Sequence, residues 1–174
     1  GYEDVNEDGK INGSDFQIVG SSLPDIVYGF TFNVQYKTVG LIANWQGVSG
    51  VYVNNVGQYE LTNPRPNLNR LANLRDYYPN PSTAIKRQQS SRFIEDASYL
   101  RLANLRLSYD PGAKFLGLNN VNFYLSAQNL ITITKYSGFD PEVNSFSGND
   151  LRQGVDQAAY PTFKRYTLGV NVSF

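Results

Sequence analysis

Five separated segments of this chain alternate apolar and polar residues at every second position, a pattern that only a pleated strand with one apolar face can use. The first, Ile26 to Tyr36, sets Ile26, Tyr28, Phe30, Phe32, Val34 and Tyr36 against Val27, Gly29, Thr31, Asn33 and Gln35. The second, about Val39 to Gly47, sets Val39, Leu41, Ala43 and Trp45 against Gly40, Ile42, Asn44 and Gln46. In the third, about Tyr99 to Tyr109, Ala103, Leu105, Leu107 and Tyr109 oppose Asn104, Arg106 and Ser108. The fourth places Val121, Phe123, Leu125 and Ala127 opposite Asn122, Tyr124, Ser126 and Gln128. The last is the most regular: Tyr166, Leu168, Val170, Val172 and Phe174 against Thr167, Gly169, Asn171 and Ser173.

A half-buried sheet in a soluble sandwich also alternates, so the connections have to discriminate. Only Lys37 and Thr38 separate the first two strands, and a modest turn, Asp110 to Asn120, separates the third and fourth. By contrast, Gly50–Ser98 and Thr134–Thr162 are long, polar and aromatic. Alternating short and long connections describe a membrane barrel with tight turns at one rim and long loops at the other. If Phe174 closes the last strand at the periplasmic rim, residues 1–25, about 50–98 and about 134–162 fall outside the cell, and 26–174 supply the last five barrel strands. Five strands do not close a barrel, and an open edge in lipid leaves backbone groups unsatisfied. The remaining strands are therefore expected from a preceding part of the chain or from other chains.

Composition narrows the setting. With 13 Tyr and 10 Phe, the aromatic residues are strand formers, and no run approaches a membrane-spanning helix of roughly 18 apolar residues. A formal net charge of zero gives no global field for nucleic acid. The absence of Cys excludes disulfides and thiolate metal sites and suits an oxidising compartment, while the absence of His removes the usual general base. Glu95 and Asp96, adjacent on a strand, would face opposite ways, and no Ser occupies a nucleophile elbow. An enzyme is not expected. The chain starts at Gly1 without an initiator Met or signal segment, as a processed protein or a piece of a longer one does.

One stretch carries ligand chemistry. Asp4, Asn6, Asp8, Gly9, Lys10, Asn12 and Asp15 follow the spacing of a calcium loop, with Asp in place of Glu at the twelfth position. Asp4, Asn6, Asp8 and Asp15 would offer side-chain oxygens, Lys10 its carbonyl, and Asn12 a water-bridged contact. Only Phe16 to Val19 follows before Gly20, so the second helix of a full calcium-binding hand is missing. An Asx-rich turn held by side-chain to backbone hydrogen bonds reads the same residues without an ion. The long loop offers Arg65, Arg70, Tyr77, Tyr78 and Arg92 as contacts for a solute or a docking partner, or simply as a solvated surface. Arg106, on the polar face, would point into the barrel lumen.

Three stretches resemble a known family. SRFIEDASYLRLANLRLSY, from Ser91 to Tyr109, is similar to a stretch of the SusC-like TonB-dependent transporters of Bacteroidetes. SAQNLITITKYSGFDPE, from Ser126 to Glu142, resembles a second such stretch, and Tyr160-Pro161 through Phe174 resembles the family's terminal strand. The Asp4–Asp15 loop, Gly20 and Tyr28-Gly29-Phe30 fit the family's approach to this region. The resemblance implies that the chain is the C-terminal part of an all-β, transmembrane barrel of about 22 strands in the bacterial outer membrane. It also implies an N-terminal plug, energy from TonB, surrounding outer-membrane lipid, and a SusD-like lipoprotein that captures oligosaccharides or peptides. Calcium in the Asp4–Asp15 loop would be structural. Two other readings stand beside it: a soluble, dockerin-like calcium module built on a β-sandwich at the cell surface, and a passive porin.

Overall fold

The structure, a computed structural model, describes residues 3–62, 90–112, 120–146 and 152–173. Five long strands form one antiparallel sheet. They are β1 (Ile26–Tyr36), β2 (Val39–Ser49), β5 (Tyr99–Tyr109), β6 (Asn120–Thr134) and β8 (Arg165–Ser173), hydrogen-bonded in the order β1-β2-β5-β6-β8. Each strand therefore lies beside its predecessor, a meander with no crossover. A second, small sheet is made of β3 (Tyr52–Asn55), β4 (Ile94–Asp96) and β7 (Val155–Asp156), with β3 in the middle. A short helix, α1 (Val56–Thr62), follows β3 directly. Asn55 caps it by accepting the Gln58 N–H at 2.9 Å, and the Thr62 hydroxyl donates back to the Gln58 carbonyl at 2.8 Å.

All five expected strands are present, and two run longer than the alternation indicated: β2 reaches Ser49, and β6 extends from Asn120 to Thr134. Register fixes which residues share a face. Phe30 opposes Trp45, Leu41 opposes Leu107, Leu107 opposes Leu125, and Leu125 opposes Leu168, so one face of the sheet is apolar from edge to edge. That face stays open. Phe32, Val34, Leu41, Leu107, Leu125, Ile133 and Val170 are all exposed, and Leu168 is 80% exposed. Among the described residues no second layer covers it. This removes the sandwich reading, whose apolar face must be buried between two sheets.

The opposite face carries Thr31, Asn33, Asn44, Asn104, Arg106, Ser126, Thr167 and Asn171. Here Tyr124 lies across Gly169, its partner on β8, where any Cβ would collide with the ring. Glycine at 169 thus makes room for an aromatic side chain lying flat on the wall.

The ends of the sheet differ. At one end β1 and β2 are joined by the two-residue turn Lys37-Thr38, with Lys37 at φ +52°, and Asp110 follows β5, its N–H donating to the Thr38 carbonyl at 2.7 Å. At the other end lie residues 3–25, 50–62, 90–98, 135–146 and 152–164. The long connections are not structureless there. They join into a cap: Ala97 N–H donates to the Val51 carbonyl at 2.9 Å, Asn54 N–H to Gly154 at 2.8 Å, and Tyr52 N–H to Ser21 at 2.8 Å. The buried apolar cluster of the chain is in this cap, around Val53, Ala97 and Tyr136 with Val51 and Val143 beside them.

Candidate functional site

Simple alternation would put Arg101 on the apolar face, because it is odd-numbered like Leu105 and Leu107. A β-bulge prevents this. The register jumps between Leu102 and Asn104, leaving Ala103 as the extra residue. Leu100 and Leu102 then stay apolar-side against Gly47 and Trp45, and Arg101 turns to the polar face with Arg106. The same level of β6 is irregular too. Gln128 pairs with Asn104 and Ile131 with Leu102, with Asn129 between them at φ +52°.

Arg101, 2% exposed, gathers partners from three parts of the chain. Its Nε donates to the Thr132 hydroxyl on β6 at 3.1 Å. One terminal nitrogen reaches Glu142 at 2.9 Å and the Thr162 hydroxyl at 3.3 Å, and the other reaches Asp140 Oδ1 at 2.5 Å. The Tyr99 ring lies 5.1 Å from the guanidinium. Asp140 is fully engaged: Oδ1 also accepts the Glu142 N–H, and Oδ2 accepts the Thr162 N–H at 3.0 Å together with the Thr162 hydroxyl. Burial pushes the Asp140 carboxyl up, but the Thr162 hydroxyl, the two backbone N–H groups and Arg101 together hold it below the usual carboxylate range. A cavity of about 270 Å³ opens beside this cluster, lined by Arg101, Asn129, Thr132, Phe139, Asp140 and Lys164 among others.

A second polar network runs through the cap. The Tyr136 hydroxyl donates to Asp156 Oδ2 at 2.7 Å, and Asp156 Oδ1 accepts the Ala159 N–H at 3.1 Å. Burial, and then the Asp156 carboxylate, raise the Tyr136 phenol well above its ordinary value, which keeps it protonated as a donor. Glu95 accepts from Asn55, from the Ser137 N–H and from the Ser137 hydroxyl. Its neighbour Asp96 accepts the Ser98 N–H instead. The two carboxylates serve different partners, as adjacent strand positions require.

The Asp4–Asp15 segment is a closed, exposed loop. Asp4 accepts the Asp8 and Gly9 N–H groups, Asn6 accepts from Asp8 N–H, and Asp8 accepts from Lys10 N–H at 2.8 Å. Asp15 accepts the Val5 N–H at 3.0 Å and the Asn12 N–H at 2.7 Å, while Asn12 caps the one-turn 3₁₀ helix Gly13–Asp15. The Asn12 N–H is the chief reason that the Asp15 carboxyl falls below its usual range. Gly9 takes φ +79°, the left-handed conformation that the sharp turn needs. The donor set is all hard oxygen, which suits calcium. Among the described residues, however, no three acidic side chains converge closely enough to hold a metal.

Arg106 lies on the polar face with its guanidinium 4.2 Å from the Tyr124 ring centroid. Arg92 sits exposed in the 3₁₀ turn Ser91–Phe93. Arg65, Arg70, Tyr77 and Tyr78 lie outside the described residues, as does Phe174. Tyr166, Leu168, Val170 and Val172 line the apolar face of β8. The residues that gather most partners, Arg101, Asp140 and Thr162, were not singled out from the sequence; only the contrast between Arg101 and the apolar residues around it could have drawn attention to them.

No family model matches the chain. Sequence relatives do. TonB-dependent receptor P3 of Formosa agariphila is 33% identical over 187 residues, spanning 99% of this chain and 19% of the relative. The TonB-dependent receptor SusC of Bacteroides thetaiotaomicron is 26% identical, again over 99% of the chain. Among solved structures, the RagAB peptide importer in its open-open state aligns with a TM-score of 0.78 at 28% identity, over 95% of this chain and 19% of that one. Over nearly its whole length the chain is similar to SusC-like TonB-dependent receptors. It spans about a fifth of the length of the relatives it matches. Its sheet is therefore a section of receptor barrel, and the cap is built from the connections at one rim of that section. The Ser91–Tyr109 and Ser126–Glu142 stretches supply β5, the part of β6 from Ser126 to Thr134 and both carboxylates that hold Arg101.

Proposed function

We propose that this chain contributes wall and external loops to an outer-membrane importer that is energised through TonB and takes in oligosaccharides or peptides with a SusD-like surface lipoprotein. The observation that carries this is the unbroken apolar face of the five-stranded sheet, exposed from β1 to β8, with the described parts of the long connections gathered at one end. In water a patch of this size marks an interaction surface; lipid satisfies it along its whole length. The N-terminal plug and the other strands of the same receptor complete the barrel and pair the free edges of β1 and β8. Residues 3–25, 50–62, 90–98, 135–146 and 152–164 then lie outside the cell, where the lipoprotein and solute arrive. The RagAB relatives, described as a peptide importer, support peptides as one solute class. A passive porin shares the wall but not the likeness to TonB-dependent receptors. The chain performs no chemistry on the solute.

The Asp4–Asp15 loop takes calcium in the same reading, with Asp4, Asn6, Asp8, Asp15 and the Lys10 carbonyl as ligands. The ion would supply charge neutralisation and stiffness. As an extracellular structural site the loop is weak, on the order of 10⁻⁴ to 10⁻³ M.

Deletion of the gene encoding the full receptor tests the main reading. Uptake of labelled oligosaccharides or of labelled peptides should fall, and the receptor should fractionate with the outer membrane. Recovery of the receptor in a soluble fraction, or unchanged uptake of both solute classes, would overturn it.

A further inference from the structure

The cap is attached to the sheet in two ways. The 50–62 and 90–98 segments continue directly from β2 and into β5 and are tied there by short contacts, Gly50 N–H to the Ser98 hydroxyl at 3.1 Å and the Thr134 hydroxyl to the Ser98 carbonyl at 2.8 Å. The connection from β6 to β8 leaves the sheet after Thr134 and returns at Arg165, and it is drawn back by the Arg101 side chain, with the Asn129 amide donating to the Phe163 carbonyl at 3.3 Å beside it.

We propose that Arg101 is the positioning residue of this rim. It latches the loop around Asp140 and Glu142, and the strap around Thr162, to the polar face, and so fixes the arrangement in which the β6–β8 connection is presented at the mouth of the barrel. The meaning of "mouth" rests on the importer reading above; the latch itself does not. Three features carry it. First, Arg101 uses Nε and both terminal nitrogens on four side chains from β6, the loop and the strap, the planar fork that lysine does not reproduce. Second, Arg101 is almost wholly buried where it meets these partners, with the Tyr99 ring beside the guanidinium. Third, the bulge at Ala103, with the irregularity at Asn129 beside it, turns Arg101 inward at the one level of the sheet where the strap passes. Bulges re-aim side chains in this way. Arg106 lies below the bulge on the same polar face and stacks on Tyr124, on the sheet itself. Two arginines on one strand therefore have different tasks.

The test is hydrogen exchange of the full receptor in detergent, comparing wild type with Arg101→Met and Arg101→Lys. Arg101→Met should quicken exchange about tenfold or more across residues 136–146 and 152–162 while β1, β2, β5 and β6 keep their protection. Arg101→Lys, which retains charge but loses the fork, should fall between. If Arg101→Met fails to accumulate, Arg101→Met combined with Asp140→Asn removes the stranded carboxylate and should show the same regional release. Unchanged exchange in the two segments would overturn the latch. So would equal loss of protection in sheet and loop, since that describes a residue needed for the fold at large. Exchange requires no solute, so a receptor that imports neither solute class still reports on the latch.

Discussion

The sheet and the cap spend the same kinds of residue in opposite ways. On the sheet, large apolar side chains face outward, and polar ones line the other side: Leu125 is exposed while Ser126 stands on the polar face with Arg106. In the cap, Val53, Ala97 and Phe93 are buried, and so are Asp140, Asn55 and Asp156, with Arg101 of β5 buried where the cap meets the sheet. The difference teaches what each part is solvated by. A wall in lipid needs its backbone satisfied by ladders and gains nothing from hiding apolar groups. A cap in water needs an interior, and this one, too small for a large hydrophobic core, builds it from hydrogen-bonded polar groups.

The largest expected effect therefore comes from a charge on the wrong side of the wall. Leu125→Arg places a guanidinium on the apolar face of the interior strand β6 and should cost about 2–4 kcal/mol in a bilayer. Ser126→Lys, one residue along on the polar face, should be close to neutral. Assembly of the full receptor in lipid vesicles, read by its resistance to unfolding, checks the pair. Equal effects of the two would mean that the sheet has no lipid side.

Acid should separate the two regions next. The Asp140 carboxyl is held below its usual range, so its contribution is fully present above about pH 3.8 and is lost as pH falls through the lower folded value. Below that range Asp140 becomes neutral opposite Arg101, and the β6–β8 connection should gain exchange before the sheet does. The wall, whose stability rests on ladders and apolar contact, should hold. Simultaneous loss would contradict the division.

A smaller and more local loss is expected from Tyr136→Phe. It removes the donor to Asp156 and leaves a buried carboxylate oxygen short of a partner, at a cost of about 1–3 kcal/mol confined to the cap. Because the phenol is raised above its ordinary value, this contribution persists to alkaline pH and is lost only when pH passes well above 10. Protease resistance near Val143 should fall in the variant while detergent-resistant barrel assembly is unchanged.

These contrasts follow how legible each region was. The wall could be read because a strand that divides lipid from polar interior must alternate, and Phe30, Leu41, Leu125 and Leu168 kept strict count. The cap could not. Tyr52–Asn55, Ile94–Asp96 and Val155–Asp156 are too short for periodicity, and their pairing depends on contacts between residues about 40 to 100 positions apart. Parity alone would put Arg101 on the wrong face. A bulge adds one residue without any local signal as strong as a Pro or Gly, since Ala103 is unremarkable in a strand. The Asp4–Asp15 loop was legible as a turn, because its Asx side chains bond amides a few residues away.

That loop also supplies the smallest expected effect. It is exposed, touches neither the apolar face nor the buried cap networks, and is held by Asp4 and Asp15 accepting N–H groups across it. Asp15→Ala frees the Val5 and Asn12 amides to water, so exchange across residues 5–12 should quicken while the sheet and the Arg101 cluster stay as they are. Calcium gives the same loop a second handle. Millimolar calcium should slow that exchange in the wild type and have no effect in Asp15→Ala, because the variant lacks the carboxylate that would close the coordination sphere. If calcium leaves the wild-type loop unchanged, the amide hydrogen bonds alone account for its shape. If Asp15→Ala loosens the wall as well, the loop is part of the barrel's own stability and the division between wall and external segments has been drawn in the wrong place.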